Sequence, residues 1–203
     1  MDIFKLFSEH ILRNQTPEAE IIKLKFFTTD IKANLASRGQ LAHKSQQDYH
    51  RAIYECYPTT IEIIKGYHSH DRAILPVYKK PPEKNDRVSV WRLEEKQTDV
   101  NIALHMYRDS VKKEANQIVL VSNDTDLEPA LKMIRLDLGE QIRIGVVIPV
   151  PKPTEKAHRP PNKKLSDYAD WTRRYILDNE LKNCLLPDLI PTKKKPIRKP
   201  EYW

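Results

Sequence analysis

The stretch Val119–Leu131, "VLVSNDTDLEPAL", decides how this chain is read. An apolar run stops at Ser122-Asn123-Asp124-Thr125-Asp126, and an amphipathic pattern takes over. A short continuous apolar run followed by a helical period is what a buried parallel strand feeding a helix looks like. Two carboxylates one residue apart therefore sit at the carboxyl end of a strand, where open α/β sheets bind their ligands.

Working outward, the same alternation recurs. Residues 2–14 have Ile3, Phe4, Phe7 and Ile11 at helical spacing, and 21–28 read as a strand. A helix is expected over 40–57, stopped by Pro58, then a strand over 60–66 closed by Gly66. Residues 67–87 are polar and Pro-rich and read as a loop or hairpin, with 73–78 and 87–95 as arms. Further elements are a helix over 98–115, strands over 117–122 and 142–149, a helix over 126–138 ended by Gly139, and a helix over 164–181. The expectation is an α/β fold, a mainly parallel central sheet flanked by helices. Residues 1–150 form its main domain, 151–190 a connector and packing helix, and 191–203 a basic tail.

Composition sets outer limits. With 203 residues, 39% hydrophobic and 31% charged, the chain has enough apolar material for a core and no run long enough to span a bilayer. The amino terminus lacks a signal-peptide pattern, so a cytoplasmic protein with no membrane partner is expected. Cys56 and Cys184 belong to no CxxC pair, which removes a cysteine-zinc or dithiol motif. A net charge of +7 favours a polyanionic partner, though part of the excess is local: "PTKKKPIRKPEYW" (191–203) holds five cations against one acid. Lys193, Lys194, Lys195 and Arg198 are thus candidate nucleic-acid contacts, or a solvated tail.

The acids have a capping explanation and a chemical one. Thr125-x-x-Glu128 matches a capping box, and Thr98 with Asp99 could cap the preceding helix and complement its dipole. In a parallel α/β unit, however, the helix at 98 starts at the edge where strand 117–122 ends. Asp99, Asp124 and Asp126 would converge there, and their mutual repulsion calls for a cation. Mg²⁺ or Mn²⁺ suits an all-oxygen ligand set.

The segments "EKQTDVNIALHMYRD" (95–109) and "IVLVSNDTDLEPAL" (118–131) together resemble the NYN domain family, a branch of the PIN-like nucleases. Its hallmarks are a helix start E-K-x-[ST]-D-V-x-[IL]-A and a strand ending V-S-[GN]-D-x-D-[LF]. The resemblance implies a PIN-like, Rossmann-like three-layer sandwich and Mg²⁺- or Mn²⁺-dependent cleavage of RNA, in single-stranded form. Asp99, Asp124 and Asp126 would be catalytic metal ligands and Thr98, Asn101, Ser122 and Asn123 supporting polar groups, with Lys96 beside them on the RNA backbone. Family members open with a central strand ending Asp-Gly-x-Asn, and this sequence has no Asp-Gly. A truncated start is the expectation; a decayed paralogue, or Asp30 in compensation, are the alternatives. Loss of that strand should leave unpaired ladder groups on its two neighbours.

Other functions are a catalytically inactive RNA- or protein-binding module on the same fold and, remotely, a small-molecule ring hydroxylase. No flavin or nicotinamide motif supports the last. His68-Ser69-His70-Asp71 reads as exposed histidines in a loop rather than a metal site. Leu165, Tyr168, Trp171 and Tyr175 read as one apolar helix face.

Overall fold

The structure is a computed structural model of the 203-residue chain, described for residues 1–153, 163–193 and 195–202. Helical segments Ile3–Lys5, Leu6–Leu12 (π-type) and Arg13–Gln15 run on as α1. Then come β1 (Leu24–Thr28), α2 (Gly39–Cys56), β2 (Ile61–Lys65), β3 (Tyr67–Pro76) and β4 (Arg87–Lys96). Next are α3 (Thr98–Val111), β5 (Gln117–Val121), a 3₁₀ turn (Thr125–Leu127), α4 (Glu128–Leu138) and β6 (Arg143–Val147). Short elements close the chain: α5 (Lys163–Ser166), β7 (Trp171–Arg173), α6 (Asp178–Asn183), β8 (Leu189–Ile190) and β9 (Ile197–Arg198).

The architecture is α/β, but its parallel strands do not make one continuous sheet. β1 pairs with β2, and β5, β6 and β7 form a separate three-stranded parallel sheet. Among the described residues, β1 and β5 are each paired along one edge only. Helices tie the two sheets together. Through Leu6, Ile11 and Leu12, α1 packs on Val147 and Trp171. Its Ile3 and Phe4 pack with Phe26 and Ile61 of the other sheet and with Ile53 of α2. On α3, Met106 joins Leu120, Leu131, Ile144 and Val146 in the main core, while His105 and Asp109 reach Lys25 of β1.

Local chemistry accounts for the boundaries near the site. Asp124 caps the 3₁₀ turn by accepting from the Asp126 amide at 3.0 Å. Pro129 sits in the first turn of α4, where its missing N–H costs nothing, and Gly139 ends that helix at φ 53°. The cap is therefore Asp124, one residue before the expected Thr125.

Three expectations are corrected. The helix expected over 164–181 does not form as one piece. Asp170 accepts from Ile144 N at 2.6 Å and pairs with Arg135, and Trp171–Arg173 then run parallel to β6 as β7. The Trp171 ring lies over Gly145, where a Cβ would come within 2.2 Å of it. His68-Ser69-His70-Asp71 belongs to β3, paired in register with Leu93–Glu95 and Arg92 of β4, not to a loop. The "tail" pairs β9 with β8 and buries Ile197 with Ala52 of α2.

Candidate active site

The chain leaves β4 at Lys96 and enters α3 through Gln97, held at φ 72°. That left-handed conformation is uncommon for a residue with a side chain and costs on the order of 1 kcal/mol. It places Thr98 so that its hydroxyl donates to Glu95 across the bend, rather than capping the helix. Gly66, between β2 and β3, presses against this corner. A Cβ there would lie 2.4 Å from the Lys96 carbonyl oxygen and 2.7 Å from Thr98 Oγ1.

Opposite stands the end of β5. Ser122 N donates to Val147 O of β6 at 3.0 Å, and Ser122 Oγ accepts from Asp124 N at 3.0 Å. The two corners enclose one pocket, lined by Glu95, Gln97, Thr98, Asp99, Val100 and Asp124. Asp99 and Asp124 thus share a pocket at the carboxyl end of β5. Asp126 lies near enough to act on the charge of Asp99. Burial, then the charges of Asp124, Glu95 and Asp126, push the Asp99 carboxyl above the usual carboxylate range.

The remaining predicted residues are placed as follows. Thr98 lines the pocket, Ser122 braces Asp124, and the Asn101 amide donates to Gln97 O within the first turn of α3. Asn123 lies between Ser122 and Asp124 on the β5 exit loop. Lys96 pairs with Glu94 beside the corner. Lys193, Lys195 and Arg198 are exposed on the β8–β9 segment, whose contacts are with α2; Lys194 lies outside the described residues. Asp30 is engaged by Lys65 at 2.7 Å and by Gln47 at 2.9 Å, apart from the residues that line the Asp99 pocket. Glu95 was missed as a site residue although it opens the "EKQTDV" motif. Its type and place in that motif were the signal.

Does this donor set suit a divalent ion? Among the described residues, no three His, Cys, Asp or Glu side chains stand close enough to enclose one ion. Mg²⁺, however, keeps most of its waters and takes one or two carboxylates rather than a protein cage. An Asp99 carboxyl pushed up by burial and by the charges of Asp124, Glu95 and Asp126, with Asp99 and Asp124 exposed to solvent, fits a hydrated ion of that kind. Among the described residues no helix is long and apolar enough to cross a membrane.

Comparison with known proteins places this site in context. The 6-hydroxy-3-succinoylpyridine 3-monooxygenase HspA of Pseudomonas putida (strain DSM 28022 / S16) is 35% identical over an alignment that takes in 100% of this chain and 68% of that protein. A solved protein of unknown function from Vibrio parahaemolyticus RIMD 2210633 is 17% identical, with a TM-score of 0.44, over 87% of this chain and 79% of its own. The NYN domain profile matches residues 28–165, which hold both acid-bearing motifs. This chain is a member of the NYN domain family.

Proposed function

We propose that this chain is a divalent-metal-dependent ribonuclease hydrolysing single-stranded RNA. The observation that carries the reading is one pocket at the carboxyl end of β5, shared by Asp99, Asp124 and Glu95 with Asp126 nearby. Repelling carboxylates on a strand edge are a costly arrangement without a cation to neutralise them. Asp99, Asp124 and Asp126 would hold Mg²⁺ or Mn²⁺, which when bound supplies an activated water and stabilises the leaving oxygen of a phosphodiester. Thr98 fixes the Glu95 carboxylate by its hydroxyl, and Ser122 Oγ fixes the backbone amide of Asp124. Lys96 stands beside this corner with its charge already engaged by Glu94.

The test is cleavage of labelled single-stranded RNA with Mn²⁺, Mg²⁺ or EDTA, alongside Asp124→Asn. Cleavage that needs metal and disappears in the variant is the expected result. RNA binding with no turnover under any metal would overturn it in favour of an inactive binding module. A second reading, hydroxylation of a small nitrogen heteroaromatic ring, is favoured by the 35% identity to a protein named as a monooxygenase. Dioxygen uptake on adding 6-hydroxy-3-succinoylpyridine and a reduced nicotinamide, with RNA left intact, would select it.

A further inference from the structure

The β3–β4 hairpin is the part of the molecule that the acid pocket does not explain. It is a two-stranded ribbon, and such ribbons are marginally stable alone in water. It nevertheless exposes large side chains, Trp91 at 71% and Tyr78 at 87% among them. Register assigns its faces, because directly opposed residues point the same way. Arg72 lies opposite Trp91, His70 opposite Leu93, and His68 opposite Glu95, all on one face.

That face and its reverse differ in charge. On the reverse, Arg92 and Lys96 both pair with Glu94, so the cations are neutralised within the ribbon. On the Trp91 face, Arg72 donates to Ser89 Oγ at 3.1 Å and Arg87 to Ile74 O at 2.8 Å. Neither has a carboxylate partner among the described residues. The His70 ring leans on Trp91 with centroids 4.7 Å apart, and the indole stays largely exposed. The face carries a single acid, Glu95, and that residue lines the catalytic pocket. At its foot His68 contacts Asp30 O and Thr29 Oγ1, which fixes the ribbon to the end of β1.

We propose that the Trp91 face of this hairpin is a stacking platform for single-stranded RNA, which leads the strand down to the acid pocket at its foot. The platform rests on the ribonuclease reading for its purpose, though not for its chemistry. An exposed indole stacks on any base, and flanking unpaired cations take the phosphates. From Trp91 to Glu95 is four residues of strand, about 14 Å, the span of up to about four stacked nucleotides at ~3.4 Å each. The order along this face, aromatic and cations far out and the only acid at the base, is the order a polyanion feeding a metal site requires.

The test is anisotropy of a fluorescein-labelled oligouridine with the full chain in EDTA, so that binding is read without turnover. Trp91→Ala should weaken binding by roughly 5- to 150-fold, the usual range for a lost base–aromatic stack. Trp91→Phe should recover most of that loss, which separates stacking from hairpin damage. Arg72→Gln should lower the slope of log Kd against log salt by about 0.7, and Arg92→Ala on the reverse face should leave Kd unchanged. Oligodeoxyuridine should bind about as tightly, because a base–indole stack and phosphate contacts do not read the 2′-hydroxyl. Unchanged Kd in Trp91→Ala overturns the platform, as would wild-type chain that binds no RNA. So would sedimentation showing that Trp91→Ala dissociates a dimer at constant RNA affinity, since the face would then be a protein contact. Wild-type chain that never cuts but loses affinity with Trp91→Ala refutes the nuclease alone. Cleaving chain whose Kd and kcat/KM ignore Trp91 refutes the platform alone.

Discussion

Replacing Gly66 with alanine tests the corner that aims Asp99. The glycine has no unusual φ, so the whole effect is contact. Ordinary van der Waals separation for a Cβ begins at 3.4 Å, whereas the Lys96 carbonyl oxygen would be 2.4 Å away and Thr98 Oγ1 2.7 Å. The carbonyl must retreat by about 1 Å, and it belongs to backbone, which cannot swing aside like a side chain. Overpacking of this kind costs about 1–3 kcal/mol. For a chain of this length that lowers Tm by roughly 2–12 °C, measured by differential scanning fluorimetry. The moved atoms immediately precede Gln97 and carry the Thr98–Glu95 bond, so Asp99 moves with them. A misplacement near 1 Å costs on the order of 10²-fold in rate, read as metal-dependent RNA cleavage. Gly145→Ala is the matched control. It collides with the Trp171 ring, away from the pocket, and should cost stability at wild-type specific activity. Gly66→Ala with unchanged Tm would refute the packing argument. Lowered Tm with full cleavage would refute the role of this corner in placing the site.

Three other outcomes follow from the same contacts. Asp99→Asn should raise stability in EDTA at neutral pH by a few tenths to about 1 kcal/mol, discounted for its exposure. A carboxyl whose folded pKa is raised favours the folded state when protonated and loses that contribution as pH rises through the folded value. The advantage of the variant should therefore vanish in acid, and added Mn²⁺ should stabilise wild type more than the variant; urea titrations with and without metal check both. Glu180→Ala should cost about 3 kcal/mol in urea, because Glu180 is buried, bonds Arg173 at 2.6 Å and accepts from Leu177 N at 2.8 Å. Leu131→Ala, at 0% exposure in the main core, should cost about 2–5 kcal/mol, against under about 0.5 for Leu136→Ala on the exposed face of the same helix.

The parts of the fold legible in the sequence were those with a local signal. Val119–Val121 is an unbroken apolar run, and Pro129 and Gly139 bracket α4, so strand, turn and helix could be read within a residue or two. The acids were legible for the same reason, since two of them end that run. What failed depended on distant partners. Leu165, Tyr168, Trp171 and Tyr175 mimic a helix face, but Asp170 is held by Ile144 N, 26 residues away, and the chain turns into β7 there. The first half of β3 carries no clean apolar-polar alternation, so the sequence leaves loop and hairpin both open there. Glu95 has a local signal in its place in "EKQTDV", but its position beside Asp124 depends on the end of β4 and the loop after β5 meeting at one pocket.

The split between β1 and β5 carries a hazard and its remedy. An unpaired strand edge is a template on which another chain can add a strand, the route to aggregation through backbone pairing. Among the described residues β1 has such an edge, yet Lys25 in its middle has a side chain only 13% exposed and turned into Asp109 of α3. A foreign strand laid along β1 would have to crowd that pair or strip it of its partner, leaving a charge without water or counterion. The ion pair that joins a helix to a half-sheet therefore also guards the opening beside it.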